Sequence, residues 1–114
     1  MQGEKRRYFR LKDTLNVVRC PVKYLFESNA LTRDISEGGI CILTPHKMEI
    51  GERIELGIYV PESKTPILAT GKIVRRNETN DPNYPFILGI EFIKINPEER
   101  NKILEHIRFY LLKS

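Results

Sequence analysis

Two short stretches of the sequence carry residue types that could bind a charged, planar ligand. The first is Arg6-Arg7-Tyr8-Phe9-Arg10, an Arg-x-x-x-Arg spacing with Arg7 between. Guanidinium groups offer planar, bidentate donors to phosphate and to the O6/N7 edge of guanine, and they stack on flat rings. Tyr8 and Phe9 add aromatic faces that either stack on a base or pin the segment to the rest of the chain. The second is Asp34-Ile35-Ser36-Glu37-Gly38-Gly39. Its carboxylate can accept from the N1–H and exocyclic amine of guanine, its hydroxyl can donate or accept, and glycine lets a ring or phosphate approach the backbone. Taken singly, each stretch has a plain alternative. The first is also what an exposed cationic tail looks like, and the second an ordinary turn in which Asp and Ser bond their own backbone and Gly supplies positive φ.

Charge distribution favours the ligand reading. The chain has 114 residues, with 19 Lys and Arg against 15 Asp and Glu, a net charge of +4. Residues 4–12 hold five cations and one anion, so this nonamer carries the whole excess, and the remaining 14 cations balance 14 anions. A long nucleic acid or an anionic membrane would call for a broadly basic surface. One basic segment beside a neutral remainder fits a small anion better.

The elements that position these stretches follow from periodicity. Period-two alternation marks about six strands: 15–26, 30–35, 40–44, 53–60, 67–76 and 86–93. Val18, Cys20, Val22, Tyr24 and Phe26 share one face of the first, and Pro21 argues for an edge or a bulge there. Glu27-Ser28-Asn29 reads as a turn. Connections are short and no helix falls between strands, which excludes a parallel sheet and predicts a meander closed into a small barrel. The period then changes. Asn96 caps a helix, Pro97 takes its first position, Glu99 completes an Asn-x-x-Glu box, and Ile103, Ile107, Tyr110 and Leu111 form its apolar stripe. The expected fold class is mainly all-β: a six-stranded antiparallel barrel with one C-terminal helix at about 97–112. A basic arm over 1–12 precedes a single domain over 13–114.

Catalysis is not expected. The histidines are His46, in a loop, and His106, on the helix and expected toward solvent or its flank. No Gly-x-Ser-x-Gly elbow, HExxH pair or Walker A loop occurs, and the carboxylates form no evident acid–base pair. Cys20 and Cys41 fall on strands and read as buried apolar residues; two cysteines make neither a disulfide framework nor a zinc knuckle. No apolar run approaches the ~20 residues of a membrane helix, and the first residues are charged rather than signal-like. The expectation is a soluble intracellular domain with no metal and no membrane insertion.

Both motifs in this order, followed by the strand pattern and the terminal helix, resemble the PilZ domain family over essentially the whole chain. Gly89-Ile90-Glu91-Phe92 and the helix start at Asn96-Pro97-Glu98-Glu99-Arg100 take part in the likeness. The resemblance implies a PilZ-type barrel and a cytoplasmic bacterial receptor for the second messenger cyclic di-GMP, acting on a downstream protein. It implies that Arg6 and Arg10 hold phosphates and guanine edges, with Arg7 as auxiliary donor. Asp34 and Ser36 would read a guanine, and Gly39 would leave room for it. Lys5, before the motif, would bear on whether one ligand or a stacked pair is bound. Two rival readings are a ligand-independent interaction module of the same family and a small nucleic-acid-binding barrel.

Overall fold

The computed structural model describes residues 10–12, 16–20 and 26–113, with side chains from residue 30 onward except those of 110 and 113. The alternating segments form seven antiparallel strands: β1 (Arg10–Lys12), β2 (Asn16–Cys20), β3 (Phe26–Ser36), β4 (Gly39–Thr44), β5 (Arg53–Ile58), β6 (Ile67–Glu78) and β7 (Phe86–Lys94). They lie in the order β1-β3-β2-β5-β6-β7-β4, and a further β3–β4 pairing closes the sheet into a barrel.

Seven strands replace the six expected from sequence, and the register explains the difference. β1 pairs with the end of β3 (Arg10↔Ser36, Lys12↔Asp34), and β2 continues along the same edge (Asn16↔Leu31, Arg19↔Phe26). β1 and β2 therefore act as one interrupted strand, and the closed ring has six members. Two further expectations change. The first strand does not run to 26, because β2 ends at Cys20 and Phe26 opens β3. Glu27-Ser28-Asn29 is not a turn but the first part of β3, which is long enough to pair successively with both pieces of its neighbour. Residues 21–25, Pro21 among them, lie outside the described residues.

The interior is filled from alternate positions of every strand from β3 to β7. Ile35, Ile40, Ile58, Ile67, Ile73 and Leu88 are fully buried, and Ile54, Leu56, Val60 and Ile90 complete the layer. Burial of each such side chain contributes about 1.5–3 kcal/mol of transfer free energy. β-branched residues dominate, which suits a pleated, tightly curved surface.

Helix α1 (Pro97–Lys113) packs on β6 and β3. The Arg100 N–H donates to the Asn96 carbonyl at 2.9 Å to start it, and Glu98 and Glu99 face the positive end of its dipole. Glu99 is not used for the expected capping box: its carboxylate accepts instead from the Leu68 N–H at 2.9 Å and from Lys102 Nζ at 3.3 Å, tying the helix to β6. Ile103 and Ile107 are buried as expected, but Leu111 is half exposed. His106 is a clear correction. It is fully buried rather than solvent-facing, and its Nδ1–H donates to Glu62 Oε1 at 2.6 Å.

Candidate functional site

Asp34, Ser36 and Gly39 are brought together by the β3–β4 hairpin. The Gly38 N–H donates to Ser36 Oγ at 3.2 Å, and Ser36 Oγ–H reaches the Gly39 carbonyl at 3.4 Å. These bonds tighten the turn from within, and Ser36 is buried. Neither glycine of the turn has positive φ; among the described residues only Gly51 does, at +96°. Gly39 is required for another reason. A Cβ there would collide with the backbone carbonyl oxygen of Ile90, so the absent side chain lets β4 close against β7. The Phe92 N–H donates to the Gly38 carbonyl at 3.0 Å and fixes the same approach.

Asp34 reaches its position through a β-bulge. Thr32 pairs with Ile42 in the interior, the register then shifts, and Asp34 pairs with Cys41. Without the extra residue, Asp34 would share the parity of Ala30 and Thr32, both of which are buried. The bulge turns Asp34 to the outer surface, while Ile35, paired with Ile40, returns to the core. Asp34 then heads a lateral row across the outside of the barrel: Cys41 pairs with Gly89 on β7, and Gly89 with Arg75 on β6. A parallel row starts at Gly39 and runs through Glu91, Lys72 and Arg53.

The electrostatics at the centre of the first row are mixed. Burial pushes the Cys41 thiol above its ordinary value of 9.0 and the Asp34 charge adds to this, while Arg75 and Arg33 oppose it. One anion and two cations thus act in opposite directions on one buried thiol.

On the other side of β3, the register sets Arg10 opposite Ser36 and Lys12 opposite Asp34. The last arginine of the first motif and the acidic motif are therefore direct neighbours in the sheet, a pairing that sequence spacing alone does not reveal. Arg6 and Arg7 lie outside the described residues. Arg75 was not singled out by the sequence, since only cross-strand register places it at the row; Arg33, at the bulge beside Asp34, was not singled out either. Two clefts flank the helix instead, one bordered by Glu55, Thr70, Lys94 and Glu99, the other by Glu62, Asn101 and Glu105. Among the described residues, no group of three or more His, Cys, Asp or Glu gathers as a metal site would require. No helix there is long and apolar enough to cross a membrane.

The PilZ domain family model matches residues 4–109. The chain belongs to the PilZ family. Solved structures agree on the fold. The inhibitor of motility MotI/DgrA of Bacillus subtilis superposes with a TM-score of 0.76 at 22% identity, over 97% of this chain and 53% of that one. The PilZ domain of YcgR from Escherichia coli, solved with c-di-GMP, gives a TM-score of 0.67 at 18% identity, over 96% of this chain and 93% of that domain. YcgR in complex with c-di-GMP gives 0.69 at 18% identity, with 96% of this chain covering 47% of it. The chain thus spans about half the length of MotI/DgrA and of this longer YcgR chain. No curated protein sequence matches it.

Proposed function

We propose that this PilZ domain is a cytoplasmic receptor for cyclic di-GMP that passes its ligand state to a protein partner, with no catalytic step. The observation that supports this reading is the register Arg10↔Ser36 and Lys12↔Asp34, which makes the two signature motifs adjacent strands of one surface. Cyclic di-GMP carries two phosphate charges and two guanines, so its receptor needs cations and a guanine reader side by side. Arg6, Arg7 and Arg10 supply the cations, with bidentate donors for phosphate and for guanine O6/N7. Asp34 accepts from guanine N1–H and the exocyclic amine, and Ser36 adds a hydroxyl. Gly39 serves the site by keeping the hairpin against β7, which holds Asp34 and Ser36 in place. Signalling follows from the same geometry: β1 already belongs to the sheet, so ligand fastens the residues ahead of Arg10 onto the outer rows and changes the face offered to the partner.

Calorimetric titration with cyclic di-GMP, beside cyclic di-AMP and GTP, tests the reading. Saturable binding of the guanine dinucleotide alone is expected. Arg10→Ala should weaken it by about 1.5–3 kcal/mol, the worth of a charge-assisted hydrogen bond. Asp34→Ala should both weaken binding and narrow the preference for guanine over adenine. No heat from a folded sample would replace the receptor with a ligand-independent interaction module.

A further inference from the structure

The row that begins at Asp34 ends in a residue to which the signature motifs give no role. Arg75 follows a second β-bulge: Ile73 pairs with Ile90 in the core, the register shifts, and Arg75 pairs with Gly89. Continued alternation from Ile67, Ala69, Gly71 and Ile73, all buried, would have sent Arg75 inward. Two independent bulges, one in β3 and one in β6, thus place Asp34 and Arg75 in a single row on the outer face. Bulges re-aim side chains in this way where a surface is built for binding.

The partner of Arg75 in the row is also particular. A Cβ on Gly89 would lie 3.1 Å from Arg75 Cβ, Cζ and Nη2, so the side chain folds flat across the bare backbone of β7. From there the guanidinium reaches Cys41, the next member of the row and the direct neighbour of Asp34, and favours the charged form of its thiol. Arg75 nonetheless stays exposed to solvent. A planar cation laid over a glycine, in the same lateral row as a carboxylate two intervening strands away and open on its outer side, is a platform for a flat, electron-rich ring.

We propose that Arg75 is a further ligand-contacting residue, stacking its guanidinium on the guanine whose edge Asp34 reads. This rests on the cyclic di-GMP reading above and extends the site from β3 and β4 to β6. Gly89 is its positioning residue, since a side chain there would crowd the guanidinium at 3.1 Å.

Titration of the parent chain, Arg75→Ala and Arg75→Lys with cyclic di-GMP, together with their melting temperatures without ligand, tests the inference. Arg75→Ala should bind roughly tenfold more weakly, with a ligand-free melting temperature close to that of the parent. Arg75→Lys keeps the charge but not the plane, and should recover less than half of the loss on a logarithmic scale. Gly89→Ala, which leaves Arg75 in the sequence but crowds its guanidinium, should weaken binding in the same direction. It serves as the deciding variant should Arg75→Ala fold poorly. Affinities of Arg75→Ala and Gly89→Ala within twofold of a binding parent would overturn the role of Arg75 and leave the receptor reading standing. A parent that does not bind cyclic di-GMP overturns both.

Discussion

Two regions of this small barrel bury polar groups, and they do so to opposite ends. On the helix side, His106 is fully buried and its Nδ1–H is committed to Glu62 across 2.6 Å, linking α1 to the segment between β5 and β6. Ile103 and Ile107 of the same helix are buried in the core. On the outer face, Asp34 and Cys41 are also buried, but the row they belong to ends in an exposed guanidinium and abuts a strand that begins with Arg10. The first is a fastening, in which donor and acceptor satisfy each other. The second is a row that leads from buried Asp34 and Cys41 to a cation in solvent. Burial of a polar residue therefore does not by itself mark a binding site; what marks one is the direction in which its remaining partners lie.

The position most able to break this contrast is Gly39, which belongs to the outer site yet is dictated by packing. Its Cβ would strike the Ile90 carbonyl oxygen, a backbone atom that cannot move without disturbing the β4–β7 ladder. Gly39→Ala should destabilise the fold by about 3 kcal/mol, at the upper end for overpacking, and urea unfolding measures it. A variant as stable as the parent would mean that β4 and β7 do not need this approach, and Gly39 would return to being a ligand residue only.

Next in size is the fastening itself. His106→Ala removes a filled interior volume and leaves the Glu62 carboxylate without its donor, at a cost of about 2 kcal/mol. Under conditions where the variant remains folded, its affinity for cyclic di-GMP should match that of the parent, because the helix bonds to Glu62, Thr65 and Leu68, none of them in the outer rows. A tenfold loss of affinity at full folding would show that the two regions are coupled and that the helix takes part in the response to ligand.

How far the sequence revealed this arrangement differs between the regions for physical reasons. Alternation marked the core-facing Ile54, Leu56, Ile58 and Val60 and the inward Leu88 and Ile90, because a half-buried strand has no other way to sort its side chains. Asn96 and Pro97 marked the helix start through local chemistry alone. Asp34, Ser36 and Gly39 were singled out by type and spacing, and the β3–β4 hairpin brings them together. Their neighbours were not, since Arg75 reaches the row only through the pairing of β6 with β7 and a bulge that leaves no compositional trace. Glu27-Ser28-Asn29 has turn-forming residues, but β2 pairs along that part of β3 and overrides local preference. His106 was misplaced because its acceptor, Glu62, is 44 residues distant in sequence.

The smallest expected effect concerns Cys41, at the middle of the outer row, and it sharpens the contrast by titration. Burial and the Asp34 charge raise its thiol above 9.0 in the folded chain, with Arg75 and Arg33 only partly opposing them. The unfolded chain then releases this proton at lower pH than the folded one. Stability linked to the neutral thiol is fully present below the ordinary thiol range and is lost as pH rises through it toward the folded value. Cys41→Ala lacks that proton, so its stability relative to the parent should improve as the pH of urea unfolding is raised from 7 to 10, with every other titrating group, Cys20 included, common to both chains. A stability difference independent of pH would place the thiol in an environment no different from solvent, and the row would lose the buried, charge-flanked centre that sets it apart from the rest of the barrel surface.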